Sequence, residues 1–305
     1  MAKTKTAKRG ALKSPSFLFL QVKTNVSSKL YNYSMLRYNI LILLICLMAE
    51  TKAQHPPLFE GLVSDTTRIT MNNLGLNLVR YTYRAPKVRF LVIHDDEDTG
   101  VKAALEYIRF SGGTLIDCQY GGIRNFKINN QGESFQTDPN SIYTKAGIPI
   151  GIQKYGPVDD DVVKQLERTA KTILKLYNPE QLGYIFTLHN NTDGDFGISS
   201  YLKGYELEAA ADSVHINFSM DPDDLIFVTD AKLFSGFKKE NVNVVLQSAK
   251  APDDGSLSIY AMYNKIPYIN VEVQHGHFDE NLRLIEIAIK VLFQAYPLLK
   301  QKAAE

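Results

Sequence analysis

From residue 88 to residue 296, short apolar runs alternate with stretches of helical period. Residues 88–93 (Val-Arg-Phe-Leu-Val-Ile) are almost wholly apolar, as expected of a strand covered on both faces. Residues 99–111 place Val101, Ala104, Leu105 and Ile108 on one helical face, and Gly112-Gly113 supplies a stop. A strand resumes at 115–118. Residues 159–177 then predict a long amphipathic helix with acids at its start and Pro179 just past its end. Further strands are predicted at 184–188, 225–228, 242–246 and 268–273, and further helices at 256–264 and 280–296. This alternation predicts an α/β domain: a mixed, mainly parallel sheet with helices on both faces. In such sheets ligands bind beyond the carboxyl ends of the strands.

The chain before that domain has a different character. Residues 40–49 (Ile-Leu-Ile-Leu-Leu-Ile-Cys-Leu-Met-Ala) form the one long apolar run. As a helix it would rise about 15 Å, half the thickness of a bilayer core, which is too short for a membrane span. With Arg37 before it and Thr51-Lys52-Ala53 after it, the run reads as a secretory signal starting at Met35 and cleaved near Ala53/Gln54. Ile45 is too bulky for a lipobox at Cys46. The expected organisation is an N-terminal extension plus signal peptide over 1–54 and a single domain over 55–305, exported to the periplasm or secreted.

Charge supports this division. Nine of the 34 basic residues and one of the 33 acidic residues fall within 1–54, leaving 25 against 32, a net −7, over 55–305. An acidic body argues against nucleic acid as a partner, because phosphate contacts need clustered Lys and Arg. Only Cys118 remains in the expected mature chain, so an internal disulfide and a multi-cysteine zinc site are both excluded. Its neighbours Leu115 and Ile116 predict a core position.

Three predicted strand ends carry chemistry. His94-Asp95-Asp96-Glu97 follows the strand at 88–93, and a His and a carboxylate three residues apart on such a turn can converge on one cation. His189 closes the strand at 184–188 and opens the polar run Asn190-Asn191-Thr192-Asp193-Gly194. Glu272 lies inside the apolar strand at 268–273, where a carboxylate is costly without a partner. Two imidazoles and a carboxylate with an open fourth position make a catalytic zinc shell, and a separate Glu supplies the base.

These motifs resemble the zinc carboxypeptidase superfamily, especially its aspartoacylase and succinylglutamate desuccinylase branch. His94-Asp95-Asp96-Glu97 is similar to the family's His-x-x-Glu element, and Leu188-His189-Asn190-Asn191 to the strand-ending segment that supplies the third ligand. Asn270-Val271-Glu272-Val273 resembles the strand carrying the catalytic glutamate, and Asp138-Pro139-Asn140 the Asp-x-Asn-Arg element that holds substrate. The order of elements agrees, over roughly residues 86–295. The resemblance implies the fold of that family, Zn²⁺ bound by His94, Glu97 and His189, and Glu272 as general base. It implies substrate contacts from Arg124 and Asn140, with Asn190 near the metal shell and Tyr263 a candidate over the substrate.

One departure stands out: Ser141 occupies the place of the family's Arg, and Ser cannot grip a carboxylate in bidentate fashion. Arg124, in Gly121-Gly122-Ile123-Arg124, is the substitute, or else a loop-fixing ion pair. His275 and His277 are weaker candidates for substrate contact, and His55 and His215 are read as structural. The expected function is an exported zinc hydrolase of an amide or peptide bond acting on a small peptide. The alternatives are an N-acyl amino acid deacylase and a non-catalytic metal- or ligand-binding module on the same fold.

Overall fold

A computed structural model describes residues 59–85, 88–194 and 196–302. The signal segment expected over 35–54, with its Met35 start and its cleavage point, lies outside the described residues, as does His55.

The chain opens with a hairpin of β1 (Val63–Met71) and β2 (Leu74–Tyr83), followed by β3 (Arg89–Val92), α1 (Asp98–Ser111) and β4 (Gly113–Gln119). A second hairpin, β5 (Phe126–Asn130) and β6 (Glu133–Thr137), precedes a 3₁₀ turn at Pro139–Ser141. Then come α2 (Gly147–Gln153), α3 (Asp160–Tyr177), the single turn α4 (Pro179–Leu182) and β7 (Ile185–Asn191). The remainder is β8 (Ala211–His215), β9 (Leu225–Val228), α5 (Ala231–Lys239), β10 (Val244–Gln247), α6 (Leu257–Tyr263), β11 (Tyr268–Gln274), α7 (Phe278–Ala295) and α8 (Pro297–Lys302).

Nine strands form one mixed sheet in the order β1-β2-β4-β3-β7-β11-β9-β10-β8. Its centre, β4-β3-β7-β11, is parallel, and β9-β10 is parallel too. The remaining pairings are antiparallel. The α/β class and the helices on both faces agree with the expectation from periodicity. Two apolar layers flank the sheet. Val101, Leu105 and Ile108 of α1 pack with Leu233 of α5 and Leu284 of α7 on one face. Ile148 of α2, Val162 and Leu166 of α3 and Leu257 of α6 pack on the other.

Local chemistry explains the helix ends. The Asp159 side chain accepts from the backbone N–H groups of Asp161 and Val162, capping α3, and Asn178 ends it in the left-handed conformation ahead of Pro179. Val101, Ala104, Leu105 and Ile108 are all buried, and Gly112 closes α1 at φ 76°. Cys118 is a buried free thiol, as its neighbours implied. Among the described residues, no helix is long and apolar enough to cross a membrane.

Candidate active site

The site forms on the α2/α3/α6 face of the parallel centre. Strand alternation decides which side chains reach it. In β7, Thr187, His189 and Asn191 share one face, and in the adjacent β11 so do Asn270, Glu272 and Gln274. Glu272 stands opposite His189 in the parallel register. The strand that His189 was expected to close continues to Asn191. Pairing with β11 extends it through the polar Asn190 and Asn191, both of which are buried.

His94 leaves β3 on a turn whose last residue, Glu97, immediately precedes α1. Glu97 N–H donates to the His94 carbonyl at 3.4 Å, and this turn folds the two side chains together. His94 Nδ1 lies 2.9 Å from Glu97 Oε1 and 3.1 Å from His189 Nδ1. His189 Nδ1 lies 3.3 Å from Glu97 Oε2. All three side chains are buried, and one donor atom from each falls within 4.8 Å of the others. The Asp138 carboxylate sits 2.8 Å from His94 Nε2 and also accepts from the Asn140 backbone N–H at 2.6 Å.

Electrostatics follow from this crowding. Burial disfavours the charged form of His94, but the carboxylates of Glu97 and Asp138 outweigh it and push the imidazole up to about 10. Burial alone would raise Glu97, yet His94 and His189 hold it well below the usual carboxylate range. For Glu272 the compensation from His189, Asn270 and Arg124 falls short. Its desolvation dominates and its carboxyl is raised, while Asn270 Nδ2 donates to its Oε2 at 3.0 Å.

A cavity of about 390 Å³ is lined by His94, Asp138, Asn140, His189, Glu272 and Arg124, among others. Arg124 is its one Lys or Arg, and it donates to Glu97 Oε1 at 3.0 Å. The loop that carries Arg124 is pinned by Asp95, whose carboxylate accepts from the Tyr120 and Gly122 backbone N–H groups. The Tyr120 hydroxyl donates to the Arg124 carbonyl at 2.8 Å. Asn140 borders the cavity, and its Oδ1 accepts from Leu257 N–H at 3.0 Å.

Asn190 and Tyr263 are placed differently from the other candidates. Asn190 borders the cavity, but alternation turns its amide to the opposite face. There its Oδ1 accepts from Gly100 N–H at 2.9 Å and its Nδ2 donates to the Val273 carbonyl at 2.9 Å. Its side chain thus ties β7 to α1 and to β11. Tyr263, at the end of α6, is exposed, bonds Asp253 Oδ2 at 3.3 Å and does not line the cavity. His277 bonds Asp224 at 3.0 Å, His215 bonds Asn241 at 3.2 Å, and His275 stands at the cavity rim.

Asn270, Asp95 and the bond from Asp138 to His94 escaped the sequence reading. Asn270 had a legible signal, because it lies two residues before Glu272 in an apolar strand and therefore on the same face.

Ser141 is tightly approached by two glycines. A Cβ on Gly255 (φ +83°) would lie 2.4 Å from the Ser141 carbonyl oxygen, and one on Gly151 would lie 2.7 Å from Ser141 Cβ. The segments carrying Gly151 and Gly255 thus approach this buried residue closely. Gly255→Ala is expected to lower stability by roughly 2–3 kcal/mol, from the left-handed backbone and the clash together. A chemical-denaturation midpoint checks this, and an unchanged midpoint would contradict it.

No family model and no curated protein matches the chain. Among solved structures it is similar to the murein-tripeptide amidase MpaA of Escherichia coli O157, at 11% identity and TM-score 0.39, over 79% of this chain and 96% of that one. It is similar to a candidate metallopeptidase of Shewanella denitrificans OS217, at 12% identity and TM-score 0.38, over 76% and 83%. A third is the tripeptide-bound cell shape determinant Csd4 of Helicobacter pylori, at 12% identity and TM-score 0.36, over 75% and 55%. In its motifs, and in the mixed sheet that carries them between helices, the chain resembles the zinc carboxypeptidase superfamily.

Proposed function

We propose that the chain is an exported zinc-dependent hydrolase that cleaves an amide or peptide bond in a small peptide or N-acyl amino acid. The observation that carries this reading is the convergence of two imidazole Nδ1 atoms and a buried carboxylate beside a cavity that also holds Glu272. The donor set fits zinc: two nitrogens and one oxygen from three residues leave a fourth position. Asp138 fits as well. It accepts from His94 Nε2–H, so a neutral ring turns its Nδ1 lone pair inward. Glu97 Oε2, buried without a hydrogen-bond partner, is a further available ligand atom. His94, Glu97 and His189 would hold the ion.

When bound, zinc supplies Lewis acidity and brings the pKa of water towards ~7. Glu272 takes a proton from the attacking water and hands it to the leaving nitrogen. Its raised carboxyl suits both tasks, because a base and acid works best with a pKa near the operating pH. Asn270 holds one carboxylate oxygen and orients the other. Arg124, the one permanent cation of the lining, offers charge to the substrate's carbonyl or carboxylate oxygen. Export is supported by the apolar run and flanks of residues 35–54.

The test is hydrolysis of N-acetylated dipeptides by zinc-loaded protein lacking residues 1–54. Activity is expected to disappear on dialysis against a chelator and to return with zinc. Cleavage that persists without metal would overturn the metal assignment, and no cleavage of any such amide would overturn the hydrolase reading.

A further inference from the structure

Glu97 stands where a helix cap belongs and does not cap. It is the residue immediately before α1, and its side chain makes no capping hydrogen bond. Its carboxylate is committed elsewhere, to His94 Nδ1 at 2.9 Å and Arg124 Nη1 at 3.0 Å, with His189 Nδ1 at 3.3 Å. The first N–H groups of a helix have no partner within it, and a buried one left unpaired is costly. Gly100, the third residue of α1, is buried, and its N–H is met from a different element. Asn190 Oδ1 accepts it at 2.9 Å. This is the bond that a side chain at the cap position ordinarily supplies.

Asn190 reaches α1 because it follows His189. Successive residues of a strand face opposite sides of the sheet, so β7 offers the imidazole to the site and the amide to α1. The same amide donates through Nδ2 to the Val273 carbonyl at 2.9 Å, and Val273 follows Glu272 in β11. One side chain, 1% exposed, therefore joins the segments that carry Glu97, His189 and Glu272. Close packing reinforces the tie. A Cβ on Gly100 would lie 3.2 Å from Leu188 Cβ and 3.6 Å from Asn190 Oδ1, so glycine lets the start of α1 seat closely on β7. Thr99 Oγ1 accepts from Gly276 N–H at 2.9 Å, which anchors the same helical turn to the loop after β11.

Resting on the metal-site reading above, we propose that Asn190 is a positioning residue that caps α1 in place of Glu97. It frees the Glu97 carboxylate to serve as a ligand and fixes its place beside His189. Without that amide, the buried Gly100 N–H competes for the Glu97 carboxylate and draws the ligand from the site.

The test measures zinc affinity of the full-length chain by competition with a chelator. Cobalt in place of zinc then reports coordination through its visible absorption. Asn190→Ala keeps all three ligands, yet its zinc affinity is expected to fall ~10–100-fold, with a changed cobalt spectrum. Gly100→Ala leaves every polar group in place and crowds Leu188, so it is expected to weaken zinc in the same direction. It carries the test if Asn190→Ala does not fold. Leu233→Ala, in the apolar layer that α5 shares with α1, is expected to lower stability and leave both metal readouts unchanged. Parental affinity and spectrum in Asn190→Ala, or in Gly100→Ala where only that variant folds, would overturn the proposal. So would an equal loss in Leu233→Ala, because affinity would then follow overall stability. A parent chain that binds no zinc would remove the metal reading itself, and the proposal with it.

Discussion

Glu272→Gln is expected to lower kcat by ~10³-fold while the chain keeps its metal and its fold. The register sets Glu272 opposite His189, yet Glu272 is not among the three residues whose donor atoms converge. On the proposed function, the substitution therefore removes a base without removing a ligand. A Gln side chain keeps the carbonyl oxygen that Asn270 Nδ2 can reach, so the local hydrogen bond survives. Burial raises the Glu272 carboxyl, which means that the folded state disfavours its ionised form above the carboxyl's unfolded pKa. A neutral amide escapes that cost, and the apo-protein's Tm at neutral pH is expected to hold or rise. Loss of turnover with an undiminished Tm and unchanged metal content, read by mass spectrometry, separates lost chemistry from lost structure. A fully active variant would show that Glu272 is not the base.

The parts of this architecture that were legible in the sequence are those where burial and periodicity agree. Residues 88–93 and 268–273 are apolar because both faces of the central sheet are covered, and α1 and α3 show apolar stripes because one face of each is buried. The β1–β2 and β5–β6 hairpins were not predicted, because β1 is an exposed edge strand with mostly polar residues and β5–β6 stands apart from the main sheet. Asn190 and Asn191 look like loop residues, but pairing with β11 makes them strand. A tertiary contact overrides their propensity.

The site divides along the same line. His94 and Glu97 sit three residues apart, so one local turn brings them together. His189 and Glu272 are distant in sequence, and only the parallel pairing of β7 with β11 aligns them. Asn190 shows the cost of reading a polar run without its alternation, because a shift of one residue along a strand reverses the face. Ser141 shows a limit of motif reading. Gly151 and Gly255 approach Ser141 closely, which no local spacing announces.

The other large effect concerns the ion. His94→Ala and His189→Ala are each expected to reduce zinc from about one per chain to background, because two remaining ligands cannot complete a tetrahedral shell. The two losses have different surroundings. Removing His94 also strands the Asp138 carboxylate, which sits 2.8 Å from His94 Nε2 and holds the Asn140 N–H. Removing His189 takes the ring opposite Glu272 and one of the two imidazoles that keep Glu97 ionised in a fully buried place. Asp138→Ala should behave differently from both. All three ligands remain, but nothing fixes the tautomer of His94, so metal affinity is expected to fall only ~10–100-fold. Metal analysis after dialysis against graded chelator separates the three. Both histidine variants should be empty throughout, whereas the Asp138 variant should lose metal at a lower chelator concentration than the parent. Zinc retained by both histidine variants would refute the ligand set, and an Asp138 variant indistinguishable from the parent would show that the His94 bond to Asp138 does not support the ion.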